Sequence, residues 1–108
     1  MVYETLIEAP CPFRGDWLPQ AQDGTQYQVS CPSGCDTQGP DIWGTGSYTS
    51  GSGICRAAIH AGVISSRGGV VTVERLPGRP AYRGSPRNGI KSLDAGLNRA
   101  SFSIVGSP

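Results

Sequence analysis

The chain contains no apolar run of membrane-spanning length, so nothing in it reads as a transmembrane segment. It has no Asn-x-Ser/Thr sequon, because Asn88 precedes Gly-Ile and Asn98 precedes Arg-Ala, so N-linked glycosylation is excluded. There is no triplet glycine period, which excludes collagen. Neither a Walker loop nor a Gly-x-Gly-x-x-Gly fingerprint after a strand occurs, which removes the familiar phosphate cradles. No nucleophile-elbow signature accompanies the many serines. Histidine occurs once and no pair of acids converges, so an enzyme is the weakest of the functional classes. Internal repeats and low-complexity blocks are also missing. Met1 is followed at once by Val-Tyr-Glu-Thr without a signal-peptide pattern, so the expectation is a module excised from a longer protein.

What is present is 108 residues, the length of one small domain, with 16 glycines and 9 prolines. That share of helix breakers excludes helix bundles and coiled coils. The formal charge of +1 hides an uneven distribution. Residues 1–55 carry Arg14 against six acids, and residues 56–108 carry eight basic groups against Glu74 and Asp94. The split implies an anionic partner or a pairing of the two halves. Nucleic acid is disfavoured, since the total charge is near neutral and no aromatics interleave the bases.

The four cysteines are Cys11, Cys31, Cys35 and Cys55. In a short, glycine-rich chain an even count reads as two disulfides in a secreted domain, with three connectivities open. The rival is a four-thiolate zinc site. Zinc ribbons use two close Cys pairs, and here only Cys31 and Cys35 are close, so no metal or cofactor is expected.

Along the chain, residues 3–8 form an edge strand and residues 13–25 a loop. Tyr27–Cys31 alternates as a strand, Pro32–Gly34 turns, and residues 41–49 are β-prone. One helix follows over residues 54–61, with Ser52 as its cap and Gly62 just past its end. Positions 54, 58 and 61 form one apolar stripe and 55, 59 and 62 another, so the helix is buried. Val70–Glu74 is the strongest strand. Residues 75–91 read as a long ordered loop or strand pieces, and Ala100–Val105 closes the fold. The fold class is α+β, a central helix covered by short strands.

Three segments in order are distinctive: Cys31-Pro-Ser-Gly-Cys35; Trp43-Gly-Thr-Gly-Ser-Tyr48 running into Ser52-Gly-Ile-Cys-Arg-Ala-Ala-Ile-His-Ala-Gly-Val-Ile64; and Gly68-Gly-Val-Val-Thr-Val73. Leu76-Pro-Gly78, Tyr82, Asn88-Gly-Ile-Lys-Ser92 and Ser101-Phe102 follow. Together they resemble the LCCL domain, the family of factor C, cochlin and a late-gestation lung protein, over about residues 8–105 of a single domain. The resemblance implies a central helix wrapped by twisted β-sheets. It implies disulfides Cys11–Cys31 and Cys35–Cys55. It also implies an extracellular binding module of a secreted, multidomain protein in innate defence or matrix, with lipopolysaccharide or another acidic glycoconjugate as ligand. The alternative is a structural module of the extracellular matrix that contacts neighbouring domains or matrix proteins and binds no glycan.

Candidate site residues are few. Arg75, Arg79, Arg83, Arg87 and Lys91 recur every four residues, but Pro77, Pro80 and Pro86 forbid one helical face. Arginine's planar fork suits phosphate, sulfate or carboxylate, with exposed Trp17 or Tyr82 packing on sugar faces. A solvated surface is the simpler meaning of such a series. His60 is expected to be a buried structural residue donating to a backbone carbonyl rather than a proton carrier. A Cys55–His60 dyad fails, because five residues place them about 140° apart on a helix. Arg14-Gly-Asp16 is an integrin-type tripeptide whose commoner meaning is an ordinary turn.

Overall fold

The computed structural model describes residues 6–19 and 22–106. Its elements in chain order are β1 (Ile7–Glu8), a 3-10 turn (Gly15–Trp17), β2 (Gln26–Cys31), β3 (Gly44–Thr45), β4 (Ser47–Thr49), α1 (Ile54–His60), β5 (Gly69–Arg79), β6 (Pro86–Arg87), β7 (Ile90–Lys91) and β8 (Asn98–Gly106). Of the expected strand over residues 3–8, β1 covers Ile7–Glu8, Leu6 precedes it outside the strand, and residues 3–5 lie outside the described residues.

Six strands make one mixed sheet in the order β1-β2-β5-β8-β4-β3. The β1–β2 pair is parallel and the others are antiparallel. Period-two alternation selects its core face. Tyr27 and Val29 of β2 stand opposite Val73 and Val71 of β5, and all four are buried. Phe102 of β8 stands opposite Tyr48 of β4, and their rings stack at 5.7 Å. Helix α1 packs on this face with six of its seven residues buried. The architecture is therefore α+β, with one large mixed sheet and a separate β6–β7 hairpin.

The end of α1 follows local chemistry. Gly62 adopts φ +82°, its N–H bonds Ile59 O at 2.9 Å, and Val63 N–H bonds Ala58 O at 3.1 Å. This is a Schellman closure with glycine at the left-handed position. Its start differs from expectation. The cap position falls on Gly53, which has no side chain to offer, and Ile54 N–H finds Phe13 O at 3.0 Å. Ser52 is turned away. Its hydroxyl accepts from Trp43 N–H and pairs with Thr49 Oγ1, each at 2.9 Å.

Two further expectations are corrected. Strand β5 does not stop at Glu74 but runs on to Arg79 against β8. The ladder from β2 ends opposite Glu74, so Pro77 lies on a half-open edge where its missing N–H breaks no rung on that side. A Cβ on Gly78 would land on the backbone of Asn98 and Arg99, which is why a glycine sits at that crossing.

The disulfides are Cys11–Cys35 and Cys31–Cys55, not the pairing that the family resemblance implied. The strand's alternation explains the second bridge. Cys31 shares the face of Tyr27 and Val29, so its sulfur points at the start of α1 and Cys55. Cys35, beyond the turn, lands beside Cys11. The two loops each span a separation of 24 and cross one another.

Candidate functional site

His60 lies at the meeting point of three elements and is fully buried. Its Nε2 is 2.9 Å from Ser85 O, an atom that only accepts, so Nε2 carries the proton and donates. Nδ1 then accepts from the Tyr48 hydroxyl at 2.9 Å. Burial pushes the Tyr48 hydroxyl's pKa above its ordinary value, against smaller lowering effects of the Gly46 backbone and the Arg87 charge. The carbonyl of His60 accepts from Asn88 Nδ2 at 2.9 Å. The imidazole thus ties α1 to β4 and to the segment leading into the hairpin, with both nitrogens committed.

Asn88 and Gly89 form the hairpin turn, with φ +53° and +80°. Such paired positive values mark a type I′ turn, and an Asn-Gly dipeptide between short β segments is its sequence signal. That local signal marks a turn, and only the fold brings Asn88 to the last carbonyl of α1.

The cationic series is divided by the fold. Arg75 is partly buried on β5, with Nε 3.8 Å from Asp23 Oδ1. Arg79 is exposed opposite Asn98, where β5 ends. Arg83 is exposed on the following segment, whose carbonyl accepts from Thr45 Oγ1 at 2.9 Å. Arg87 and Lys91 are exposed on the two strands of the hairpin. Among the described residues Arg75–Asp23 is the one ion pair, so Arg79, Arg83, Arg87 and Lys91 have no ion-pair partner there. A partly exposed pair such as Arg75–Asp23 contributes about 0–1 kcal/mol. Arg56 is spent on structure: Nη1 donates to Asp36 O at 2.6 Å and to Cys35 O at 3.2 Å, bracing the disulfide turn.

Of the two aromatics expected at a binding surface, Trp17 is 53 % exposed and packs edge-on against Phe13. Tyr82 is corrected. It is buried, and its hydroxyl accepts from Arg79 N–H at 3.0 Å. The Arg14-Gly15-Asp16 tripeptide is built into the packing. Gly15 is buried, and a Cβ there would meet the Phe102 ring at 2.6 Å. Gly15 and Asp16 N–H bond Ser52 O and Ser50 O at 3.1 and 2.7 Å, which leaves no free loop tip for a receptor.

Several clefts open on the surface, and two of them combine apolar or aromatic with polar side chains. One of about 500 Å³ is lined by Ile59, Val63 and Ile64 together with Asp36 and Asn88. The other, of about 290 Å³, is lined by Arg14, Trp43, Thr49, Gly51, Ala95 and Asn98. Among the described residues no three His, Cys, Asp or Glu gather as for a metal ion. No helix among them is long and apolar enough to cross a membrane.

The fold defines a disulfide-stapled α+β module that presents unpaired cations and shallow clefts. The LCCL domain model matches residues 10–102, and the chain belongs to the LCCL domain family. It is 40 % identical to mouse vitrin over 82 residues, which is 76 % of this chain and 13 % of vitrin. It is 45 % identical to human cochlin over 77 residues, 71 % of this chain and 14 % of cochlin. It is 42 % identical to clotting factor C of Tachypleus tridentatus over 69 residues, 64 % of this chain and 7 % of that protein. The matched region is thus a small part of each of these longer relatives.

Proposed function

We propose that this chain is an extracellular binding module of a secreted, multidomain protein, not an enzyme, and that it holds an anionic glycoconjugate of the lipopolysaccharide class through Arg79, Arg83, Arg87 and Lys91. One observation carries the reading. These four cations are exposed and without an ion pair among the described residues, although the chain carries eight acids. Asp94 stands among them, its Oδ1 accepting from Gly84 N–H at 2.7 Å, yet it forms no ion pair with any of the four. Their forks remain available for phosphate or carboxylate groups. The family resemblance and the likeness to clotting factor C support host defence as the setting. A secreted location fits two disulfides and a relative named as a secretory protein.

The test is direct binding to lipopolysaccharide at rising salt, with wild type and Arg79→Ala/Arg83→Ala/Arg87→Ala. Affinity is expected to fall with salt, because exposed charges are screened, and at least tenfold in the triple variant. Unchanged binding by that variant overturns the site. No glycoconjugate binding at any salt, together with saturable contact to a neighbouring domain or matrix protein, overturns the reading in favour of a structural module.

A further inference from the structure

We infer that the cleft between Arg14, Trp43 and Asn98 is a subsite for one carboxylated pyranose, a uronic- or sialic-type sugar; the inference rests on the glycoconjugate reading above and gives that ligand a chemistry. The cleft measures about 290 Å³ and is open to solvent. Its parts are the three that such a sugar requires. Trp43 supplies an aromatic surface for the apolar face of the ring. Among the described residues, Arg14 supplies a guanidinium whose only hydrogen bond is a long one, Nη1 to Gly51 O at 3.4 Å, and which has no carboxylate partner. Its fork is free to take a carboxylate in a bidentate manner. Asn98 spends one donor on Gly96 O at 3.3 Å and keeps its amide oxygen and second N–H for hydroxyl groups. Gly51, on the wall, has open space where a Cβ would stand, so the ring can lie close to the backbone.

The site is held rigid by the fold rather than formed by the ligand. Trp43 N–H bonds Ser52 Oγ at 2.9 Å, and Trp43 O accepts from Thr49 N–H at 3.1 Å. Trp43 also bridges Leu93, and Arg14 bridges Gly53 next to the helix start. Arg79 stands opposite Asn98 in the β5–β8 ladder, so the first of the four exposed cations adjoins the subsite. A sugar in the cleft can therefore continue toward Arg79. The tripeptide Arg14-Gly15-Asp16 takes on a different meaning in this geometry. Its arginine belongs to the cleft, while its glycine is packing.

The experiment uses Trp17→Phe protein, in which Trp43 is the sole tryptophan, and follows its emission. The probes are tri-galacturonic acid, its carboxyl-reduced trisaccharide and inorganic phosphate. Tri-galacturonic acid is expected to change Trp43 emission saturably and to bind at least tenfold more tightly than the reduced sugar. Arg14→Gln is expected to bring that ratio close to one, and Asn98→Ala to weaken both sugars several-fold. Arg83→Ala/Arg87→Ala/Lys91→Ala is expected to lower overall affinity but keep the ratio. Arg14→Lys, which keeps the charge but not the fork, checks for a merely structural effect and is expected to recover only part of the ratio at unchanged melting temperature. An unchanged ratio in Arg14→Gln overturns the subsite while leaving glycoconjugate binding in place. Phosphate competing as well as the uronate overturns the carboxylate chemistry. No response to either sugar overturns the subsite, and absence of lipopolysaccharide binding as well overturns the reading on which it rests.

Discussion

Replacing Cys31 and Cys55 by alanine cuts the bridge between β2 and α1, and the cost can be worked out from the structure. The bridge closes a separation of 24 residues. In the chain-entropy model a loop of that size constrains the unfolded chain by about 3.5 kcal/mol. A small domain has a total stability of about 5–15 kcal/mol, so this is a large share of it. Unfolding entropy near 2.1 cal/mol/K per residue, taken over 108 residues, converts the loss into a drop of about 15 °C in melting temperature. Cys55 is fully buried and Cys31 nearly so, and the shortened side chains leave a small cavity that deepens the drop by a few degrees. Cys11→Ala/Cys35→Ala breaks a loop of equal separation, but Arg56 still grips the Cys35 and Asp36 carbonyls, so its drop should be slightly smaller. The assay is thermal circular dichroism combined with thiol titration under denaturing conditions. Each matched double variant should show no free thiol, and Cys11→Ala/Cys31→Ala should leave Cys35 and Cys55 as two. Two thiols in Cys11→Ala/Cys35→Ala, with none in Cys11→Ala/Cys31→Ala, refutes the crossed pairing.

Asn88→Ala should cost about 1–2 kcal/mol in urea unfolding, because it removes the bond to His60 O and places a Cβ residue at φ +53°. Asn88→Gly keeps the turn and loses only the bond, so the difference between the two variants isolates the backbone contribution. Tyr48 predicts a loss of stability in alkali. Burial raises its folded-state pKa above the ordinary value of 10.0, so between that pH and the raised value the unfolded chain releases a proton that the folded chain keeps. This contribution is fully present below pH 10.0 and is lost as pH rises through the folded value. Tyr48→Phe should flatten that alkaline slope in pH-dependent melts, from a lower starting stability, since Nδ1 of His60 loses its donor.

Much of the fold was legible because it follows from short-range rules. Alternation placed Tyr27 and Val29 inside, and two apolar stripes marked α1 as buried. Gly62 closed the helix as its position required. Other features were not legible because the deciding partner is remote in sequence. Ser52 has the chemistry of a cap, yet its hydroxyl is taken up by Trp43 N–H and Thr49 Oγ1. Pro77 and Gly78 look like loop residues, and only the early end of β2 and the close crossing with β8 admit them to a strand. Tyr82 carries no local mark of burial.

The sequence by itself determined that the chain is α+β, that its cysteines are few and even in number, that one short helix is enclosed, and that charge is divided between its halves. These are properties of composition and of periods of two and 3.6 residues, which the backbone imposes locally. Only the tertiary structure decided which cysteines meet, which arginines stay unpaired, and that Arg14, Trp43 and Asn98 share a cleft. Those outcomes depend on strand register and on where each strand stops. A shift of one residue in register turns every side chain to the opposite face, and no local pattern records it.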